Sequence, residues 1–234
     1  MATLTILSAG AAQAVTERII EDFRRETGNE VAADFGAVGA MKARMEGGEA
    51  VDVIILTRPM FDELVSAKRV VDGSRFDLGK VGTGVAVRAG IEVVDVASTE
   101  TLRATVLAST KIVCPDPAIA TAGKVVMALM DRLGIAAEVQ GRLRFFPNGY
   151  AAMRWLAAEG GAHDLGITQV TEILPNTGVS YSGPLPDAFQ MKAVYSAGIA
   201  TNASDAALAQ DFIARFTTPA ARKLLADAGY EVRG

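Results

Sequence analysis

The sequence predicts an α/β protein folded as two lobes. Three observations carry that prediction. Apolar runs of strand length alternate with segments of helical period along the chain. The length of 234 residues exceeds the usual single domain but accommodates two lobes of about 100 residues each. Half of the residues are hydrophobic and 21% are charged, the balance of a chain that buries a core.

The elements follow in order. Leu4 and Ile6 mark a strand, Ala9-Gly10-Ala11 a small flexible loop, and Ala12, Val15, Ile19 and Phe23 one face of a helix that ends at Thr27-Gly28. A second strand, "EVAADF" 30–35, passes through "GAVG" 36–39 into a helix, "AMKARMEGG", stopped by its glycines. A third strand, "VDVIIL" 51–56, passes through Thr57-Arg58 into a helix with Pro59 at its favoured opening position. Three βα units in a row imply a parallel sheet with right-handed crossovers.

The stretch "GKVGTGVAVRAG" 79–90 reads as one glycine-punctuated strand. A second βα set follows: a helix near 98–109, the strand "KIVC" 111–114, a helix near 122–133, a strand around 142–145, a helix near 150–159 and the strand "DLGIT" 164–168. After "YSGPLPDAFQ" the strand "KAVYSAGIA" 192–200 leads to helices at 204–215 and 218–229. The tail is too small for a domain and completes the first lobe. The expected division is 1–80 with 196–234 against 81–195, with crossovers near 79–86 and 190–198. Two such lobes would enclose a ligand cleft between the carboxyl ends of their sheets.

Composition excludes several classes of function. A net charge of −4, with no Lys/Arg cluster interleaved with aromatics, gives no footprint for nucleic acid. One cysteine, Cys114, and one histidine, His163, cannot assemble a disulfide or a Cys/His zinc site. No metal or cofactor is expected, and the chain is expected to act as a monomer. No run of 18 apolar residues occurs, and the start "TLTIL" lacks the pattern of a signal peptide. Two locations stay open: the cytoplasm, or export with the leader trimmed away.

The strand-to-helix loops carry the chemistry. "SAGAA" 8–12, "GAVGA" 36–40, "LTRP" 56–59, "PAIATAG" 117–123 and "PNGYA" 147–151 each place backbone N–H groups at a helix start, where the partial positive charge favours an anion. The alternative is that they are short connections whose glycines serve turn geometry. The candidate ligand residues are Ser8, Ala9, Gly10, Ala37, Val38, Gly39, Thr57, Thr121, Ala122, Gly149 and Tyr150. Arg58 and Arg75 are candidate cations for a carboxylate, with Lys124 a further one.

Nucleotide motifs fail on inspection. "TAGKVV" 121–126 has Ala118 where a phosphate-binding loop needs glycine and Val125 where it needs Ser or Thr, and "GTGVAV" 82–87 lacks a third glycine. No catalytic residue is assigned. His163 lies in a turn, as a solvated histidine or the single partner for a nucleophile. Cys114 closes an apolar strand, as a buried small residue or a thiolate. Asp116, between Pro115 and Pro117, structures its loop or serves a site, while Glu17, Glu21 and Asp22 form the wet face of a helix.

Taken in order, "LTILSAGAAQAVTERIIEDFRRETGNEV", "DFGAVGAMKARMEGGEAVDVIIL", "DP" at 116–117 and "LGIT" at 165–168 resemble the molybdate-binding proteins of ABC transporters over nearly the whole chain. The resemblance implies a type 2 periplasmic-binding-protein fold: two mixed sheets with flanking helices and a ligand cleft between lobes. It also implies a periplasmic location and a transporter permease as partner. In that family two serines and a tyrosine contact the oxyanion. Ser8 matches the first serine, the second falls on Val38, and the tyrosine falls near Gln169 in "GITQ". Lost hydroxyl donors leave oxyanion lone pairs unpaired, so an organic carboxylate is the expected ligand rather than molybdate. "ILT-x-P" after the third strand and "G-x-GVAVR" at the crossover are similar to a branch containing aconitate isomerase, which implies allylic isomerisation of a tricarboxylate as the alternative function.

Overall fold

The computed structural model describes residues 2–232, which divide into two compact units. The first comprises the chain up to Val81 together with the segment from Ala193 onward, and the second is Gly82–Lys192. No helix among the described residues is long and apolar enough to cross a membrane.

The sheet of the first unit contains β1 (Thr3–Ala9), β2 (Glu30–Gly36), β3 (Val53–Thr57), β4 (Phe76–Val81) and β10 (Ala193–Ile199), in the order β2-β1-β3-β10-β4. The first three run parallel, and β10 is antiparallel to both of its neighbours, so the sheet is mixed. β3 reads "VIILT" and is buried at every position, as a central strand covered on both faces demands. Each parallel strand feeds a helix: β1, through a 3-10 turn at Gly10–Ala12, feeds α1 (Gln13–Thr27), β2 feeds α2 (Val38–Glu46) and β3 feeds α3 (Arg58–Ser66). α1 buries Val15, Ile19, Ile20 and Phe23 and stops where Gly28 turns left-handed at φ 68°, its N–H capping Arg24 O. The C-terminal helices α9 (Ala206–Ala214) and α10 (Pro219–Asp227), with the 3-10 turn between them at Arg215–Thr217, add Phe212, Phe216 and Leu225 to the same core.

The second unit repeats the arrangement with β5 (Thr83–Arg88), β6 (Ile112–Pro115), β7 (Leu143–Phe146), β8 (Leu165–Gln169) and β9 (Val179–Pro184), in the order β7-β6-β8-β5-β9. β7, β6 and β8 are parallel, while β5 is antiparallel to β8 and β9. β6 feeds α5 (Thr121–Arg132), β7 feeds α7 (Gly149–Glu159) and β8 feeds a single turn, α8 (Val170–Ile173). α4 (Thr99–Ala108) and the short α6 (Ala136–Val139) complete the helices. Alternation along the strands fills two cores. Val85, Val87, Ile112 and Cys114 pack with α4 and α5, whereas Ala86 and Val113 pack with α7 and Ile173.

Two sequence expectations are corrected. The stretch 79–90 is two strands in different sheets, because the chain leaves one unit at Val81 and enters the other at Gly82. Continuous hydrophobicity hides that break, since both pieces are buried. Before "KAVYSAGIA", where the sequence predicts no element, the structure has β9, whose residues are mostly only partly buried and whose "YSGP" mimics turn composition.

One buried carboxylate ties the first sheet to its C-terminal segment. Asp52, 2% exposed, accepts Thr5 N–H and Thr5 Oγ1 at 2.7 Å through Oδ2, and Ser204 N–H at 2.6 Å and Ser204 Oγ at 2.8 Å through Oδ1. Burial alone would push its pKa up, but the donors from Thr5 and Ser204 outweigh burial and hold the carboxyl below the usual aspartate range. A lowered pKa contributes stability above the unfolded value of about 3.9, and that stability is lost as pH falls through the folded value. Asp52→Asn, which turns an amide NH2 toward these donors, is therefore expected to cost about 1–3 kcal/mol at neutral pH. Urea unfolding as a function of pH should show the gap to the native protein closing on acidification. A gap that persists unchanged into acid contradicts this account.

Candidate functional site

The carboxyl ends of the parallel strands form a rim in each unit, and four of the five long helices that start there, all but α7, share a property. The long helices elsewhere are capped by their own side chains: α4 by Ser98, α9 by Asp205 and α10 by Thr218. The rim helices α1, α2, α3 and α5 begin after Ala12, Ala37, Thr57 and Ala120, and none of these residues caps through its side chain. Alanine has no acceptor to offer. The first-turn N–H groups, which the helix itself cannot satisfy, are left for another acceptor.

In the first unit three of these starts lie on adjacent strands β2, β1 and β3. Ser8, Ala9 and Gly10 close β1 and are buried. Ser8 Oγ donates only to the neighbouring Ala9 carbonyl, at 3.2 Å. Ala37 and Val38 open α2 from buried positions, with Gly39 half-buried beside them. Thr57 at the end of β3 is 4% exposed. Two hydroxyls and three helix starts thus meet at one end of one sheet. Val38 places an isopropyl group, 5% exposed, among them.

The candidate arginines are already engaged. Arg58 Nη1 lies 3.5 Å from Asp77 Oδ2, while Arg75 Nε lies 3.5 Å from Asp77 Oδ1 and its Nη1 3.0 Å from Asp62. Asp77 is held in turn by Ser196 Oγ at 2.7 Å. These partly exposed cations balance local carboxylates, which sequence could not reveal because Asp77 meets Arg58 across the sheet.

In the second unit the rim is divided. Thr121 and Ala122 open the uncapped α5, with Ala122 buried and Lys124 exposed on the same helix. Asp116 structures the preceding loop by accepting Ala118 N–H at 2.8 Å. Gly149 and Tyr150, expected to offer amides to a ligand, instead serve Glu172. The Gly149 N–H donates to Glu172 Oε1 at 3.1 Å, the amides of Tyr150 and Gln169 also act on this carboxyl, and Thr168 Oγ1 donates to Oε2 at 2.6 Å. Asn148 Oδ1 takes the next amide, Ala151 N–H, at 2.8 Å.

Glu172 is 4% exposed, and burial raises its carboxyl above the usual glutamate range against the pull of its donors. A Cβ at position 149 would stand 2.0 Å from Glu172 Oε2 and Thr168 Oγ1, so only glycine admits this contact. Sequence reasoning missed Glu172, although "QVTE" 169–172 has the spacing of a capping box, in which the third residue of a helix reaches back to the N-cap amide.

Two of the remaining candidates are Cys114 and His163. Cys114 is fully buried, and burial, with the nearby Asp116 charge, pushes its thiol up to about 12. His163 is exposed, and its carbonyl accepts Thr110 N–H. Among the described residues no cluster of His, Cys, Asp and Glu could hold a metal.

Comparison with known proteins agrees with this architecture. The chain is 24% identical to aconitate isomerase from Pseudomonas sp. over 234 residues, spanning 97% of this chain and 87% of that one. Among solved structures it resembles the periplasmic molybdate-binding protein of Azotobacter vinelandii, with a TM-score of 0.83 at 23% identity over 99% of this chain and all of that one. The sulfate-binding protein of Mycobacterium tuberculosis gives a TM-score of 0.75 at 17% identity over 98% and 86% of the two chains. A family model described as bacterial extracellular solute-binding protein matches residues 4–231. Two units with mixed sheets and that match over almost every residue lead to one conclusion: the chain belongs to the bacterial extracellular solute-binding protein family.

Proposed function

We propose that this protein captures a small organic anion bearing a carboxylate and delivers it to an ABC transporter permease. The observation that carries the reading is the absence of side-chain caps on α1, α2, α3 and α5, four of the five long helices that start at the rims, while α4, α9 and α10 elsewhere are capped. A bound carboxylate supplies the missing acceptor. Each helix start contributes about 0.3–1 kcal/mol when exposed and up to about 2 kcal/mol when partly buried, so several together hold an anion without a dedicated cation. The contacts we assign are Ser8, Ala9, Gly10, Ala37, Gly39 and Thr57 in the first unit, and Thr121, Ala122 and Gln169 in the second.

Val38 favours a carboxylate over a tetrahedral oxyanion. It presents a buried apolar surface where a hydroxyl donor would serve a fourth oxygen, and a ligand with a carbon skeleton gains from that contact. The engagement of Arg58 and Arg75 with Asp77 and Asp62 supports recognition through amides. Calorimetry with molybdate, tungstate, sulfate and a panel of di- and tricarboxylates is expected to give the tightest binding for a carboxylate. Sub-micromolar molybdate affinity would overturn the preference, and no binding by any anion would overturn the anion reading itself. In the same assay Val38→Ser, which adds a hydroxyl donor, should raise affinity for sulfate or molybdate by about tenfold while weakening the best carboxylate. An unchanged ratio removes Val38 from the site.

The relative that isomerises aconitate motivates a second reading, isomerisation of an unsaturated tricarboxylate. Such a reaction moves an allylic proton, so protein incubated with cis- or trans-aconitate in deuterated water should give the other isomer with deuterium incorporated. Absence of both conversion and exchange leaves capture as the function for that substrate.

A further inference from the structure

The start of α7 differs from every other long helix at a rim because it is filled from within. Three features define the filling. The donors are the Gly149 amide at 3.1 Å, the Thr168 hydroxyl at 2.6 Å and the amides of Tyr150 and Gln169, all directed at one carboxyl group. That group comes from Glu172, 23 residues along the chain from Gly149, so the contact is tertiary and not an ordinary cap. Glycine at 149 is the residue type that leaves room, since a Cβ there would stand 2.0 Å from a carboxyl oxygen. Glu172 is itself anchored by its carbonyl, which accepts Asn176 Nδ2 at 2.7 Å.

We propose that Glu172 is a built-in carboxylate ligand: it occupies an oxyanion cradle at the start of α7, formed by Gly149, Tyr150, Thr168 and Gln169, and so withdraws that helix from capturing external anions. Three backbone amides and a hydroxyl converging on two oxygens make a complete acceptor site for one carboxylate, because two carboxylate oxygens offer about four lone-pair positions. The second unit then offers an external ligand one open long helix, α5. Glu172 is a positioning residue, holding Tyr150 and Gln169 where the strands β7 and β8 end. Its consequence for the ligand rests on the anion reading of the open helices, whereas the cradle itself is testable without that ligand.

The test is chemical rescue. Glu172→Ala leaves the donors in place without their acceptor, and formate, a carboxylate with no side chain, fits the space. The variant should melt below the native protein and regain much of the loss as formate is added, saturably, with chloride at equal ionic strength as control. Glu172→Ala combined with Thr168→Val should weaken the formate response by about tenfold. A folded Glu172→Ala protein that responds alike to formate and chloride overturns the proposal, as does an equal formate response in the native protein.

Should Glu172→Ala fail to fold, amide hydrogen exchange on the native protein gives the answer. The Gly149 and Tyr150 amides should exchange at least about tenfold more slowly than Val38 and Gly39, the corresponding positions of the open α2. Equal rates overturn the cradle. Formate rescue together with failure of the anion panel would leave the cradle standing and remove the capture reading, and the reverse pair of results would do the opposite.

Discussion

Backbone amides at the start of a helix need an acceptor, and the structure depends on how that need is met at the ends of its parallel strands. A buried first turn without a partner costs about as much as a lost hydrogen bond for each orphaned group. The chain places alanine, not serine or aspartate, at the N-caps of α1, α2 and α5, and a threonine whose side chain makes no cap at α3. Where it does supply an acceptor, at α7, it uses both Asn148 and the distant Glu172. The same physical requirement therefore separates helices that serve the fold from helices left open to solute.

The architecture follows from strand order. Three parallel strands with their helices on each sheet point the helix starts to one end, and an antiparallel strand beside them, β10 in one unit and β5 in the other, brings the chain back. In the first sheet, β3 at the centre is buried throughout and fixes the register on both sides, with Ile6 to Ser8 against it on one edge and Tyr195 to Ile199 on the other. Asp52 locks that centre to the C-terminal segment, so the rim of the first unit rests on a part of the sheet whose polar groups are satisfied.

Much of this was legible in the sequence because periodicity reports burial. The spacing of Val15, Ile19 and Phe23, the run "VDVIIL" and the glycines after each helix mark the βα units directly. Two kinds of information were not legible. The division at Gly82 was hidden because β4 and β5 are both apolar, and nothing local states that consecutive strands belong to different sheets. The partners of Arg58, Arg75 and Gly149 were hidden because Asp77, Asp62 and Glu172 meet them only through tertiary packing. Loop composition located the helix starts at Gly10, Val38, Thr121 and Gly149 alike, and only the fold distinguishes the open ones from the filled one.

That distinction bears on how a protein of this kind selects among anions. A rim built from amides discriminates weakly by charge alone, since every amide N–H donates to any oxygen within reach. Selectivity then comes from what the rim lacks or has already used. Val38 offers apolar contact in place of a donor, Asp77 and Asp62 take up the arginine charge, and Glu172 consumes a set of amides in the second unit. Under the proposed capture, each change lowers the number of oxygens the protein can satisfy, and a ligand with fewer oxygens per anionic group and more carbon surface suffers least from the reduction. Specificity on that reading is a matter of subtraction from a common set of helix starts, and the subtracting residues are found by following where each amide and each charge is already spent.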